Sequence, residues 1–398
     1  MSISFVNLLI ACSLLMGVQL LAAIPWLMLN RRTKQRVRTL PFWITGALFA
    51  VGGGVVFAFL ANANTDAAIL ARWGRLYASL LQLQLIVDLF VLVFWSMLAA
   101  GSKAGAVALA AFQEGLRQPK YWLLFGAAFL LMGASILIPY FTFGEDLKMM
   151  KELCYAFTMF MPAGFGVLAA AMSVTEEIEG RTAVTLMSKP ISRRQFLLGK
   201  YLGTILASLS MMLGLGWWLV WVVLGKQAYD PPIGQEALPD PTWITTTVAH
   251  WFDRGSVADL MRGVLLWSSD AADAFPHLLI GFGQSIVMVA IAVALATRFP
   301  MIVNLATCLV IYFLGNLTAI MTQVSQGGYR LVYFVAQVFD TVLPGLDLFD
   351  VGSAVVRDAP LPPAEFAFYT LNVVLYSLTY AGIAMLFGLI LFEDRDLA

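Results

Sequence analysis

Nine apolar stretches of about 20 residues constrain this chain more than any other feature. They lie at about 5–29, 41–61, 80–101, 121–142, 154–174, 201–224, 277–297, 301–321 and 366–392. A bilayer core roughly 30 Å thick is crossed by ~20 residues of α-helix. Backbone in lipid must also satisfy its own hydrogen bonds, which at this segment length leaves the helix. Only 12% of the residues are charged and 60% are hydrophobic, against about 25% charged in soluble domains. The fold expected is an all-α polytopic membrane protein. The third stretch is the most interrupted, with Gln82, Gln84 and Asp88 in its first half.

Charge placement gives an orientation. The opening apolar run lacks a basic leader and its charges follow it, so it reads as a retained first span with the N-terminus outside. The loop RRTKQRVR holds five bases and no acid, which places it in the cytoplasm. Alternation then puts 102–120, 175–200, the Arg298 turn and the C-terminal FEDRDLA inside. Those short pieces hold fifteen of the 24 Lys and Arg, while the outer loops hold sixteen of the 24 acids. Two outer loops are long. In 225–276, Val257, Leu260, Met261 and Val264 share a helical face, with Ser256 as the expected N-cap. In 322–365, Val332, Val335, Ala336 and Phe339 repeat the pattern. Both read as helices at the outer interface, closing the outer surface or gating a substrate. The Trp217, Trp218 and Trp221 cluster reads as an aromatic belt.

Several function classes are disfavoured. The net charge of zero points to no nucleic-acid partner. Cys12, Cys154 and Cys308 are far apart and His250 and His277 lack ligand spacing, so no disulfide framework, metal site or cofactor is expected. No span carries a constellation suited to nucleophilic or metal catalysis. Asp88 is the single acid placed well inside a span, a polar contact between helices or a proton path.

The densest charge lies at 173–203, SVTEEIEGRTAVTLMSKPISRRQFLLGKYLG, with three acids and five bases. A soluble partner is expected to act there. Upstream, near a composition break at residue 105, LAAFQEGLRQPKYW sets Leu109, Phe112 and Leu116 beside Gln113, Glu114 and Arg117. That pattern reads as an amphipathic helix on the cytoplasmic face.

This order of motifs, closing with LFEDRDL, resembles the permease subunit of type-2 ATP-binding-cassette (ABC) exporters over roughly residues 108–398. The resemblance implies a six-span core, 108–398, after an accessory three-span region, 1–107. It also implies an elbow helix at 108–119 that includes Phe112, Glu114 and Arg117, and a coupling loop at 175–200 that docks on a separate ATPase subunit. Glu176, Glu177 and Glu179 would pair with bases of that subunit, and Gly180 would give a tight exit. Arg181 and Thr182 complete the Gly-Arg-Thr string of the match. Ala183, Leu186 and Met187 would dock in a groove. Ser188, Lys189 and Pro190 would end the short helix, and Ser192 would cap the next. Arg193, Arg194 and Lys200 would meet lipid headgroups or acids of the ATPase.

RQFLLGKY lacks the first glycine and the hydroxyl residue of a phosphate loop. ATP hydrolysis is therefore expected in another polypeptide. The resemblance implies a multi-pass protein of a bacterial cytoplasmic membrane, paired with a second permease copy or a related one and surrounded by the bilayer. A scaffold or mechanotransmitter coupled to the same ATPase is the alternative. A secondary transporter is less favoured, because broken helices and inverted repeats are not evident.

Overall fold

The computed structural model describes residues 3–28, 35–37, 39–63, 66–100, 103–140, 146–179, 191–229, 240–252, 255–325, 330–350 and 362–393. Within them all regular structure is helical. Helices α1 (Ile3–Ala22), α2 (Leu40–Asn62) and α3 (Ala67–Ala99) come first, then a short α4 (Lys103–Arg117). Next are α5 (Pro119–Ala134), α6 (Asp146–Glu179) and α7 (Arg193–Tyr229). The chain continues with α8 (Thr242–Trp251), α9 (Ser256–Ala296), α10 (Met301–Ser325), α11 (Arg330–Val342) and α12 (Pro363–Glu393). Among the described residues, eight helices are long and apolar enough to cross a membrane: α1, α2, α3, α5, α6, α7, α9 and α12. The remaining expected span falls on α10, whose apolar part, Met301–Leu317, is shorter.

Three expectations need correction. The helix that carries the third expected span begins well before residue 80, where Asp66 caps α3 by accepting the Ala68 N–H at 2.9 Å. Ser256 is the first helical residue and not a cap; Gly255 precedes it at φ 143°, a backbone conformation that favours glycine. The interface helix and the seventh span are also not separate. They form one 41-residue helix that runs through Pro276.

The chain divides into two compact units, Met1–Ser96 with Pro232–Asp273, and Met97–Pro231 with Ala274–Ala398. In the first, Leu8, Cys12, Ala58, Ala61, Leu70 and Leu260 form the core. The residues 232–273 join it by a backbone-to-backbone crossing of α3 and α9. A methyl group on Gly263 would stand 2.7 Å from the Ala71 carbonyl carbon and 2.8 Å from its Cα, so only glycine admits the approach. Polar side chains tie α3 to α1 and to α9. Tyr77 Oη donates to Leu15 O at 2.7 Å, Gln19 and Gln84 bond each other, and Trp267 Nε1 donates to Gln82 Oε1 at 2.8 Å. Two of the interrupting polar residues, Gln82 and Gln84, are thus contacts between helices.

The second unit has the larger core, with Phe165, Phe196, Met211, Leu215, Val289 and Phe392 buried in it. Three tyrosines of α12 hold the segment after α11. Tyr380 Oη donates to Val342 O at 3.0 Å, Tyr376 Oη accepts Gly345 N–H at 3.0 Å, and Tyr369 Oη donates to Leu348 O at 2.7 Å.

Candidate functional site

The charge-dense segment spans the end of α6 and the start of α7. Ser192 and Gln195 start α7 as a capping box: Gln195 N–H donates to Ser192 Oγ and Ser192 N–H to Gln195 Oε1, both at 3.2 Å. The expected cap is therefore present. Gln118, extended before Pro119, separates α4 from α5.

Small residues bring α4 and α7 together. The buried positions of α4 are Gly105, Ala108, Ala111 and Gly115. Its larger apolar residues, Leu109, Phe112 and Leu116, are only half-buried. The expected stripe is displaced because α7 offers Gly199 and Gly203 at i, i+4. A methyl on Gly203 would lie 2.6 Å from Ala111 Cβ. The helices meet nearly backbone to backbone, as small-residue crossings allow.

Lys200 sits beside this crossing with only 4% of its surface exposed. Its ammonium donates to Ser173 Oγ at 2.7 Å, Glu177 Oε1 at 2.5 Å and Glu114 Oε2 at 3.2 Å. An ammonium has three protons, so all three are used, and the bonds join α4, α6 and α7. Glu177 is the better shielded acid, with 23% side-chain exposure against 42% for Glu114. Lys200 and Glu177 were expected to face lipid headgroups or a partner protein. In this structure the two charges meet each other inside the chain.

The two arginines of the match are also engaged internally. Arg193 Nη1 donates to Phe392 O and Glu393 O, both at 2.9 Å, with its guanidinium 5.7 Å from the Phe392 ring centre. Arg298 Nε donates to Leu391 O at 3.1 Å. These cations satisfy carbonyls that the C-terminal end of α12 leaves open. Arg194 bonds Glu393 Oε1 through Nε and Nη2 at 3.0 and 2.9 Å, an exposed pair. Glu176 and Arg117 are exposed. Gly180, Arg181, Thr182, Ala183, Leu186, Met187, Ser188, Lys189 and Pro190 lie outside the described residues, as does the Glu179 side chain.

Sequence reasoning missed the role of Lys200, although a signal existed. Lys200, Gly203, Thr204 and Ala207 recur at helical spacing on one face of α7, and all four are buried. Asp88 is 5% exposed, and no donor among the described residues reaches its Oδ1. Among those residues no cluster suited to a metal ion occurs.

An apolar cavity of about 330 Å³ lies in the second unit. Phe160, Val167, Leu168, Met288, Leu309 and Tyr312 line it, from α6, α9 and α10.

The family of ABC-2 family transporter proteins matches residues 29–397 of this sequence. No curated protein matches it.

Proposed function

The chain belongs to the ABC-2 family of transporter proteins, and from that premise we propose that it is the permease of an ATP-driven exporter in a bacterial cytoplasmic membrane. A separate ABC ATPase subunit hydrolyses the nucleotide, and two permeases form the pathway. The charge-dense end of the second unit faces the cytoplasm, with 175–200 as its coupling loop.

The observation that carries this reading is the three-way junction at Lys200. A push on the loop between α6 and α7 enters helices that are ionically joined to each other and to α4. The motion is therefore passed to three helices together. Glu176 and the segment 180–190 are left to meet the ATPase. The apolar cavity between α6 and α10 supports a hydrophobic or amphipathic cargo, because nothing in its lining would compensate a desolvated charge.

Co-purification with a candidate ABC ATPase subunit tests the assignment. Leu186→Asp with Met187→Asp should abolish the complex and the stimulation of hydrolysis. Survival of both would show that the coupling element lies elsewhere. A complex that hydrolyses ATP yet moves no amphipathic dye across vesicle membranes would favour the scaffold.

A further inference from the structure

The first unit holds a cavity that the transport reading does not use. Helix α8 turns one face toward it, with Ile244 and Val248 at i, i+4 and Ala249 beside them, and Phe252, just past the helix end, continues the wall. Asp240 and Arg262 of α9 complete the wall, and the space is about 390 Å³, open on one side. Ile244 is fully buried.

The polar end is specific. Arg262 Nε donates to Asp240 Oδ2, and the two side chains are 43% and 14% exposed. A guanidinium carries five N–H groups, and no other hydrogen bond occupies those of Arg262 among the described residues. Asp259, one turn earlier on α9, acts on the same guanidinium. The site thus offers a free donor edge beside a carboxylate, and the two charges that line it are of opposite sign. A simple anion would meet the Asp240 carboxylate. A simple cation would leave the guanidinium edge unused. A head group carrying an anion and an ammonium satisfies both.

We propose that this cavity binds a single-chain zwitterionic lipid of the lysophosphatidylethanolamine kind. The phosphate takes the Nη edge of Arg262 in the fork geometry that guanidinium gives phosphate. The ammonium donates to Asp240, and the acyl chain lies along Ile244, Val248 and Phe252. The volume is at the low end for small-ligand pockets, so it takes the part of one acyl chain nearest the head group and excludes a second chain. Choline lipids have no N–H for Asp240, and glycerol lipids have no cation. The head group therefore sets the selectivity. The proposal stands whether or not the chain transports anything.

The test uses the full chain in phosphatidylcholine nanodiscs and lysophosphatidylethanolamine with a photoactivatable group in its acyl chain. Cross-links mapped by peptide mass spectrometry are expected in 244–252. Unlabelled lysophosphatidylethanolamine should compete at concentrations about tenfold below those of the choline and glycerol analogues. Arg262→Gln should reduce labelling of 244–252 about tenfold. Labelling at the exposed Leu48 and Phe49 of α2 should stay constant, which reports an intact fold. Val248→Trp fills the cavity and leaves the ion pair in place, so it should abolish labelling of 244–252 even if Arg262→Gln misfolds. Equal competition by the three lipids, or full labelling of Val248→Trp, would overturn the proposal.

Discussion

The side chains that matter most to this chain are the few charges it keeps out of water. Lys200 is held by one hydroxyl and two carboxylates, and removing a partner from such a group leaves a buried charge uncompensated. Lys200→Met should therefore destabilise the second unit by about 3 kcal/mol, read as a lowered melting temperature in detergent. Glu177→Gln should come close to that, since Glu177 makes the 2.5 Å contact and is mostly shielded. Glu114→Gln should cost less than about 1 kcal/mol, because its carboxylate is 42% exposed and water screens it. Equal losses for the two acids would mean that geometry and shielding do not set their weights. Asp88 is the opposite case. Its carboxyl is buried with no donor at Oδ1 among the described residues, so no hydrogen bond at Oδ1 is lost when the acid is removed. Asp88→Asn should leave the melting temperature unchanged or raise it; a clear drop would reveal a donor at that site.

Among the elements, helix existence was legible from the sequence and helix company was not. Runs of about 20 apolar residues announce helices through bilayer thickness alone, and the capping box at Ser192 and Gln195 is readable from its three-residue spacing. The partners of Lys200 are 23, 27 and 86 residues away, and only the packing of α4 and α6 on α7 selects them. Likewise, an apolar pattern cannot tell which face of α4 is inner when the inner one is made of glycine and alanine. The α4–α7 crossing depends on Gly203 for that close approach. Gly203→Leu should force the helices apart at about 2–3 kcal/mol, the range for overpacking a tight contact. It should also disrupt the Lys200 to Glu114 bond, whose reach spans the same crossing. Stimulation of the ATPase should then fall further than it does in Glu114→Gln, whereas equal activity would separate the crossing from coupling.

For the whole molecule, chain order and compact units disagree, and the disagreement is testable. Linear reading divides the chain near residue 107. The contacts instead group residues 232–273 with the first 96, because Gly263 meets Ala71 and Trp267 meets Gln82. Contacts between residues so far apart in sequence cannot be seen in local composition, which is why the outer stretch looked like a loop of the six-span segment. Separate cores also imply that unfolding is not a single two-state event. Damage in one unit should then stay in that unit. Hydrogen exchange measured by mass spectrometry distinguishes the cases. In Gly263→Leu, peptides covering 67–82 and 256–268 should gain exchange, while 103–117 and 196–208 keep their wild-type protection. In Lys200→Met the pattern should reverse. Local openings of this kind are what amide exchange reports when cooperative units have different stabilities. Increases in all four peptides for both variants would instead mean that the two cores unfold as one.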